Sequence, residues 1–398
     1  MSEETVGDIV LITGGSGFLG QHIVRLIEER DPTVKEIRIV DLRPYENRLN
    51  HPEKIKITSV VGDICDASAI EHAFEGVTCV FHCAAYISFH YPPNIDELNR
   101  VNVKGTRTII DLCIRHNVPN LIYTSTALVS FATYMGQGSF SIIINQTENK
   151  AKTPATDSQF IIPGFPATKL RAEKMVLSSY GRKLANGEDH LKTVCLRPTC
   201  MYGEEDNHFF TKILKFADKW NGKIPRLAEG GKKQCTYVGN AAWAHLCAKD
   251  KLKNEPKSIA GMPIFITDDT PVTDAVRLAQ RINADMEAFK IKPTSWSIPF
   301  VICFIIVMFM EMFVKFMNLF TKYQVKYCPR GMFAYASSFV LLDRLRSSTA
   351  LEYDPIYSVN EGFSRSGKWY DLWIQRYKDK NLKKHKQQQQ QLREHESS

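Results

Sequence analysis

The feature that most constrains the fold is a glycine-rich turn near the N-terminus. The sequence TGGSGFLG at positions 13–20 follows directly on a short apolar run, DIVLIT, at positions 8–13. A short apolar run that ends in a glycine cluster is typical of a buried strand. The pattern therefore predicts a strand at 8–13, a tight turn and a helix at 18–30, which together form the first unit of a parallel α/β sheet.

The glycines of this turn have the spacing of a dinucleotide-binding turn. Gly14 permits the tight turn, Gly17 lets the backbone approach a pyrophosphate, and Gly20 lets helix and strand pack closely. Phe18 and Leu19 begin the helix, whose N-terminus supplies unpaired N–H groups and positive potential. We therefore predict a dinucleotide site here, with a plain strand–helix turn as the alternative.

An acid at the end of the second predicted strand indicates which dinucleotide binds. Asp41 lies about twenty residues beyond the turn, where a carboxylate accepts both ribose hydroxyls of NAD and repels the 2′-phosphate of NADP. The alternative for Asp41 is a turn-capping acid, and Arg43 nearby leaves room for NADP. NAD is the expected cofactor.

Further residues are predicted to line the same cofactor site. Asp63 and Ile64 follow the third predicted strand, where an acid can accept the adenine amino group; a helix N-cap is the alternative for Asp63. Ala84 and Ala85 end the fourth strand with small side chains that suit the close passage of a cofactor. Asn102 lies in mid-helix, where asparagine is a poor helix former, so we expect it to bond backbone near the site rather than lie on the surface.

Strands alternate with helices along the first half of the chain. Predicted strands lie at 8–13, 37–41, 57–61, 78–82, 120–124 and 193–197, and predicted helices at 18–30 and 96–116. This alternation predicts a Rossmann-type α/β fold with a doubly wound parallel sheet. We place an NAD-binding domain at 1–200 and a smaller substrate lobe, with returns to the sheet, at 201–295.

A hydrophobic segment follows the substrate lobe. Residues 298–310 carry no charge, and this stretch is shorter than the roughly 20 residues that span a bilayer. Its continuation adds Glu311, Lys315 and Asn318, which fall on one narrow helical stripe. A membrane-embedded or interfacial segment at 296–323 is the favoured prediction; a tilted single span and a buried core helix are the alternatives.

The C-terminal sequence, the net charge, the cysteines and the N-terminus indicate which further classes of protein are excluded. We expect a C-terminal lobe at 324–375 and a basic, Gln-rich disordered tail at 376–398. The net charge of +8 is partly concentrated in that tail, so no basic patch over the fold indicates nucleic acid. The ten cysteines include no CxxC pair and predict reduced thiols without a metal site. The acidic N-terminus is unlike a signal peptide, which favours a cytosolic start.

Later blocks add a family resemblance to these motifs. They read LRP at 196–198, YGE at 202–204, YVGNAAWAH at 237–245 and ITDDTP at 266–271. With TGGSGFLG they resemble the 3β-hydroxysteroid dehydrogenase/Δ5-isomerase family of extended short-chain dehydrogenase/reductases, over roughly residues 8–375. The resemblance implies NAD-dependent oxidation of a 3β-hydroxysterol or related hydroxy-lipid with a double-bond shift. It also implies a membrane-anchored enzyme of the endoplasmic reticulum or mitochondrion, with its catalytic domain facing the cytosol; it leaves the oligomeric state open.

The chain departs from this family at the catalytic position. Such enzymes use a Tyr-x-x-x-Lys pair and a Ser or Thr; here Phe165 stands at the tyrosine position, while Lys169 and Thr126 are retained. None of the 15 tyrosines has a lysine four residues later. By the same resemblance Lys169 bonds the nicotinamide ribose. Two hypotheses remain: an oxidoreductase in which Lys169 and Thr126, with a water or another side chain, replace the phenol, or a non-catalytic NAD- or sterol-binding protein. Sugar-nucleotide chemistry is a less favoured third.

Overall fold

The computed structural model describes residues 7–132, 141–151, 153–227 and 231–396. Its strands are β1 (Asp8–Thr13), β2 (Val34–Asp41), β3 (Lys56–Val61), β4 (Cys79–His82), β5 (Asn120–Thr124), β6 (Ile142–Gln146), β7 (Lys192–Pro198), β8 (Cys200–Tyr202), β9 (Lys223–Leu227), β10 (Cys235–Tyr237), β11 (Met262–Ile266), β12 (Lys292–Ile298) and β13 (Phe339–Leu342). Its α-helices are α1 (Phe18–Arg30), α2 (Ala67–Ile70), α3 (Ile95–Asn99), α4 (Thr106–Arg115), α5 (Phe165–Ser178), α6 (Phe210–Lys219), α7 (Val238–Asn254), α8 (Ala275–Asn283), α9 (Phe300–Met317), α10 (Pro329–Ser337), α11 (Leu345–Thr349) and α12 (Val359–Glu396).

Seven strands form one parallel sheet in the order β3-β2-β1-β4-β5-β7-β11. The chain moves outward in one direction through β2 and β3 and in the other from β4 onward, so β1 and β4 flank the switch point. In such sheets ligands bind outside the carboxyl ends of the strands at this point. The predicted Rossmann-type sheet is confirmed, and the glycine turn lies at its switch point.

Helices cover both faces of this sheet. Val10 on β1 packs in a cluster with α1 and α7, whereas its neighbour Leu11 packs with α4 and α5 on the other face. Successive residues of a strand point to opposite faces, so burial on both sides requires the continuous apolar run seen in β1. Both α7 and β11 lie beyond residue 200. Part of 201–295 thus completes the Rossmann layers, in the range where returns to the sheet were predicted.

The predicted helix at 96–116 is divided into three parts. A π-helical segment, Arg100–Gly105, separates α3 from α4. Gly105 fits beside Ile64, since a Cβ there would lie 2.7 Å from the Ile64 Cδ1 atom. The Thr106 hydroxyl donates to the Asn102 carbonyl at 2.7 Å. This widened turn places Asn102 toward the loop after β4, and π-bulges are frequent at functional sites.

The hydrophobic segment forms α9, most of whose residues are exposed. Its buried residues are Cys303, Glu311 and Val314, and it packs on α10 through Phe300 and Phe333, whose ring centres are 5.0 Å apart. Among the described residues α9 is the one helix long and apolar enough to cross a membrane by length and composition. The buried-core alternative is therefore wrong for this structure.

The C-terminus differs from the predicted disordered tail. Helix α12 runs from Val359 to Glu396 in the described residues. Its first half is anchored by Tyr370 and Ile374, which are fully buried in the main core. The second half is rich in Lys, Gln, Arg and Glu, all good helix formers. Helix propensity thus accounts for a segment that the low apolar content suggested to be disordered.

Candidate active site

A cavity of about 780 Å³ follows the carboxyl ends of the central strands. One wall is the glycine turn with Asp41 and Asp63, and the other includes Thr126, Phe165 and Lys169. The predicted cofactor residues that line it are Gly14, Gly17, Phe18, Leu19, Gly20, Asp41, Asp63, Ile64, Ala84, Ala85 and Lys169. The structure therefore brings the sequence-predicted residues of both kinds into one continuous cavity.

Gly14 and Gly20 of the turn lie too close to neighbouring backbone to carry a side chain. Gly14 has φ +73°, and a Cβ there would meet the Ala84 nitrogen at 2.8 Å. A Cβ on Gly20 would lie 2.4 Å from the Gly14 oxygen. Gly17 begins α1, and no side chain caps that helix N-terminus. The uncapped first-turn amides face the cavity side of the turn and suit a pyrophosphate.

Asp41 lies at the end of β2, beside the turn. Its Oδ2 accepts the Ser16 backbone N–H at 3.1 Å, and the residue is half-buried. Arg43 donates to the Ser16 carbonyl at 2.6 Å, and Arg48 donates to the same oxygen. Within the part of the chain that the structure describes, Asp41 thus has one oxygen engaged and one without a hydrogen-bond donor, which can accept ribose hydroxyls, while Arg43 is engaged with the turn.

Asp63 is paired with Arg100 rather than capping a helix. Its Oδ2 lies 2.8 Å from Arg100, and its Oδ1 accepts the Cys65 backbone N–H at 2.9 Å. Partial burial would raise the pKa of Asp63, but these donors outweigh it and lower the pKa below its usual value. Asp63 is thus a fixed, charged acceptor at the adenine end predicted for the cavity.

Asn102 holds the loop that follows β4. Its Oδ1 accepts the Tyr86 N–H at 2.8 Å, and its Nδ2 donates to the Tyr86 carbonyl at 3.1 Å and to Thr168 at 3.1 Å. These bonds confirm the expectation that Asn102 bonds backbone near the site. They also tie the Ala84–Ala85 loop to α5, so Asn102 positions the cavity wall and is not among the residues that line it.

The cavity wall that contains Thr126, Phe165 and Lys169 is formed by the start of α5 and the loop after β5. Phe165 is the first residue of α5, is buried, and packs edge-to-face on Phe89 with ring centres 5.6 Å apart. Lys169 lies one turn later on the same helix face. The Thr126 hydroxyl accepts the Leu128 N–H at 3.3 Å, which leaves its own proton free to donate.

Lys169 is a buried cation held by backbone and an aromatic ring. Its Nζ donates to the Thr124 carbonyl at 2.7 Å and lies 4.2 Å from the Tyr123 ring centre. Burial lowers the pKa of Lys169 to about 8, although Cys83 and Glu173 act in the opposite direction. At pH 7 about one molecule in ten then carries a neutral amine at this position.

A buried ion pair fixes the elements that carry these residues. Arg197 on β7 donates from Nε to Glu173 Oε2 on α5 at 2.9 Å, and the Ser125 hydroxyl donates to the same oxygen at 2.6 Å. Both charged side chains are almost fully buried. The network joins α5, β7 and the loop after β5, and so sets the distance between Lys169 and Thr126.

The YVGNAAWAH block has structural contacts of its own. His245 donates from Nδ1 to the Ala241 carbonyl at 2.7 Å, so its Nε2 accepts the Thr124 hydroxyl at 2.8 Å. Burial lowers the pKa of His245 to about 4, which keeps the ring neutral. Asn240 bonds both backbone groups of Tyr357. The block fixes β5 and the C-terminal region without lining the cavity.

Lys233 is a polar residue of the cavity that the sequence analysis missed. Lys233 precedes β10, is buried, and lines the cavity with Tyr335 and Val340. No local motif marks a lysine in such a position, because the wall is assembled from segments about a hundred residues apart in sequence. Only the tertiary fold brings them together.

The comparisons identify the family. A profile of the 3-beta hydroxysteroid dehydrogenase/isomerase family matches residues 11–299. The chain belongs to this family. The resemblance predicted from the glycine turn and the later blocks is confirmed.

Several solved structures share this fold. The epimerase Mth375 from Methanothermobacter thermautotrophicus has a TM-score of 0.66 and 18% identity, over 94% of this chain and 95% of that one. UDP-glucose 4-epimerase from Thermus thermophilus in complex with NAD has a TM-score of 0.61 and 20% identity, over 91% of this chain and 98% of that one. dTDP-glucose 4,6-dehydratase from Bacillus anthracis in complex with NAD has a TM-score of 0.62 and 16% identity, over 92% of this chain and 97% of that one. At these identities the likeness shows the fold.

Proposed function

We propose that this protein is an NAD-dependent oxidoreductase that acts on the hydroxyl of a 3β-hydroxysterol or related hydroxy-lipid. The observation that carries the proposal is the single cavity joining the uncapped glycine turn to Lys169 and Thr126. Gly17 and the first turn of α1 would hold the pyrophosphate, and Asp41 the adenosine ribose. NAD bound there supplies the hydride acceptor for alcohol oxidation.

The proton of the substrate hydroxyl needs an acceptor other than a tyrosine at position 165. Thr126 donates a hydrogen bond that orients the substrate oxygen, and Lys169 in its neutral form accepts the proton directly or through a water. The pKa of about 8 for Lys169 makes that neutral form accessible at moderately alkaline pH. Oxidation by this route becomes faster as the pH rises through about 8.

A second candidate is a non-catalytic protein that binds NAD and sterol. Phe165 favours it, because a phenyl ring cannot exchange a proton and here simply packs on Phe89. The Lys169 bond to the Thr124 carbonyl also supports a structural role for that lysine. This candidate predicts NAD binding and thermal stabilisation without turnover.

Purified full-length protein with NAD and a panel of 3β-hydroxysterols separates the two candidates. The oxidoreductase forms NADH at 340 nm with at least one sterol, and Lys169→Met abolishes the signal while NAD still binds. Absence of turnover across the panel, with NAD binding intact, supports the binding protein instead.

We also propose that α9 associates with a membrane, with the cavity on the cytosolic side at the endoplasmic reticulum or mitochondrion. Large apolar side chains are exposed along this helix, among them Val301 at 64%, Phe309 at 65% and Phe316 at 56%. Glu311 lies on the opposite, protein-facing side, paired with Arg330 at 3.1 Å. A helix that packs on the protein by a narrow face and exposes a broad apolar face suits a lipid surface.

Cell fractionation of the full chain tests this association. Val301→Glu together with Phe309→Glu is expected to release the protein from membranes, because charge on the apolar face opposes insertion. Val61→Glu with Leu345→Glu is a matched control for the added charge, because both are exposed apolar residues that lie outside α9. Extraction of the wild type by salt alone would contradict the proposal.

A further inference from the structure

Lys233 is a polar residue of the cavity that lies outside the wall formed by Thr126, Phe165 and Lys169. The Lys233 N–H donates to the Thr273 carbonyl at 3.0 Å, and its own carbonyl accepts the Thr273 N–H at 3.2 Å. This pairing fixes the backbone on the substrate-lobe side. The residue is only 7% exposed and still lines the cavity.

Among the described residues, no carboxylate pairs with the positive charge of the buried Lys233 ammonium. Its Nζ donates to the Tyr335 carbonyl at 2.9 Å and to the Ala336 carbonyl at 3.0 Å, and lies 4.8 Å from the Tyr335 ring centre. An ammonium has three donors, so one remains. Within the described ranges these carbonyls and the ring are its contacts, and no carboxylate forms an ion pair with it.

Lys249 is a buried lysine whose positive charge is balanced by carboxylates. Its Nζ lies 2.9 Å from Asp31 and 2.9 Å from Asp250. The two carbonyls on Lys233 belong to the last turn of α10, where a lysine favours the helix dipole. A capping role alone does not require a lysine that lines the cavity, and an unpaired buried charge is costly.

Much of this wall is apolar, with Gln234 as a further polar residue beside Lys233. Phe131 stacks on Tyr335 with ring centres 6.2 Å apart, and Ile162 and Met332 line the same cavity. Such a surface fits the rings or chain of a lipid. A charge on a largely apolar wall indicates a ligand that is apolar along its body and polar at one end.

We propose that Lys233 binds an anionic oxygen group of the substrate, and that the substrate is a hydroxy-lipid acid such as a hydroxysterol with a carboxylated side chain. This inference rests on the proposed function, which supplies the hydroxy-lipid and the hydroxyl bound by Thr126. The carboxylate accepts the remaining N–H of Lys233 and neutralises its charge. Lys233 is thus a specificity-determining residue that does not touch the reacting atoms.

The diphosphate of a sugar nucleotide offers the same anionic chemistry. A polar sugar and base, however, match the Phe131–Tyr335 wall less well than a sterol does. UDP-glucose therefore serves as a separate arm of the experiment.

The probes are 3β-hydroxychol-5-enoic acid, its methyl ester and UDP-glucose, titrated calorimetrically into the NAD-loaded full-length protein. We expect the acid to bind wild type at least about tenfold more tightly than the ester, because a charge-assisted hydrogen bond is lost in the ester. Lys233→Arg should retain this preference, and Lys233→Met and Lys233→Gln should remove it. The affinity for the ester should be the same in all four proteins.

The outcomes separate this inference from the proposed function. Equal affinity of the wild type for acid and ester overturns the role of Lys233 while leaving sterol binding intact. Binding of neither sterol overturns the proposed function itself. Lys233-dependent binding of UDP-glucose without sterol binding overturns the lipid class. A melting temperature lowered by Lys233→Gln with the acid preference retained identifies a helix cap only and also overturns the inference.

Discussion

Substituting tyrosine for Phe165 should raise the rate of sterol oxidation. Phe165 is buried, lines the cavity and precedes Lys169 by four residues, so a phenol there would stand one helical turn from the lysine. With a pKa of about 8, Lys169 is about 90% charged at pH 7 and can stabilise a phenolate.

The size of the effect follows from what the phenol adds. A positioned acid/base contributes on the order of 10²–10⁴ in rate. The neutral fraction of Lys169 reduces the gain by less than about twofold at pH 7, because only about one-tenth of the lysine is uncharged. We therefore expect kcat to rise by about a hundredfold or more in Phe165→Tyr, with KM for NAD nearly unchanged.

The assay is NADH formation with the best sterol of the panel, at pH 7 and pH 9. Phe89→Tyr is the matched control, because Phe89 lines the same cavity and packs on Phe165 but has no lysine four residues later. Phe165→Tyr combined with Lys169→Met should lose the gain. A stable, NAD-binding Phe165→Tyr protein that is no faster than Phe89→Tyr would refute the reasoning.

Three further predictions concern stability and cofactor choice. The pKa of Lys169 falls from 10.5 to about 8 on folding, so the unfolded chain binds more protons between those pH values, and stability rises with pH there. Between pH 8 and pH 10.5 the free energy of unfolding of the wild type should rise by about 3 kcal/mol relative to that of Lys169→Met, as measured by chemical denaturation. Glu173→Gln should cost about 3 kcal/mol or more in the same measurement, because it leaves Arg197 buried without its partner. Glu71→Gln, in a solvent-screened surface pair, should cost much less. Asp41→Ser should weaken NAD binding by about tenfold and admit NADP in parallel titrations, since the carboxylate is lost; unchanged NAD affinity would exclude its ribose role.

The cofactor wall was predictable because its determinants are local in sequence. The strand, glycine turn and helix at 8–30 lie where the pattern placed them, since burial on both faces demands a continuous apolar strand. Asn102 was found for a similar reason, as an asparagine in a helical context needs a partner. The family blocks predicted the family, which the profile match confirmed.

The substrate wall was not predictable, because it is formed by tertiary contacts. Lys233, Phe131 and Tyr335 meet only when α10 folds back on the loop after β5. The ion pair of Arg197 with Glu173 likewise joins a strand to a helix that no spacing rule connects. The tail was mispredicted since low apolar content was weighed above helix propensity.

The central claim is that the glycine turn holds NAD, and calorimetric titration of the full chain with NAD tests it most directly. Gly17 has φ −86°, which alanine can adopt, but its Cβ would lie 3.0 Å from the Gly14 carbonyl oxygen, so the turn that would hold the pyrophosphate must shift. Gly7→Ala, at the opposite end of β1, is the matched control. The account predicts saturable one-site binding by wild type and Gly7→Ala, and at least about tenfold weaker binding by a folded Gly17→Ala. Failure of the wild type to bind NAD, or equal binding by Gly17→Ala, would contradict it.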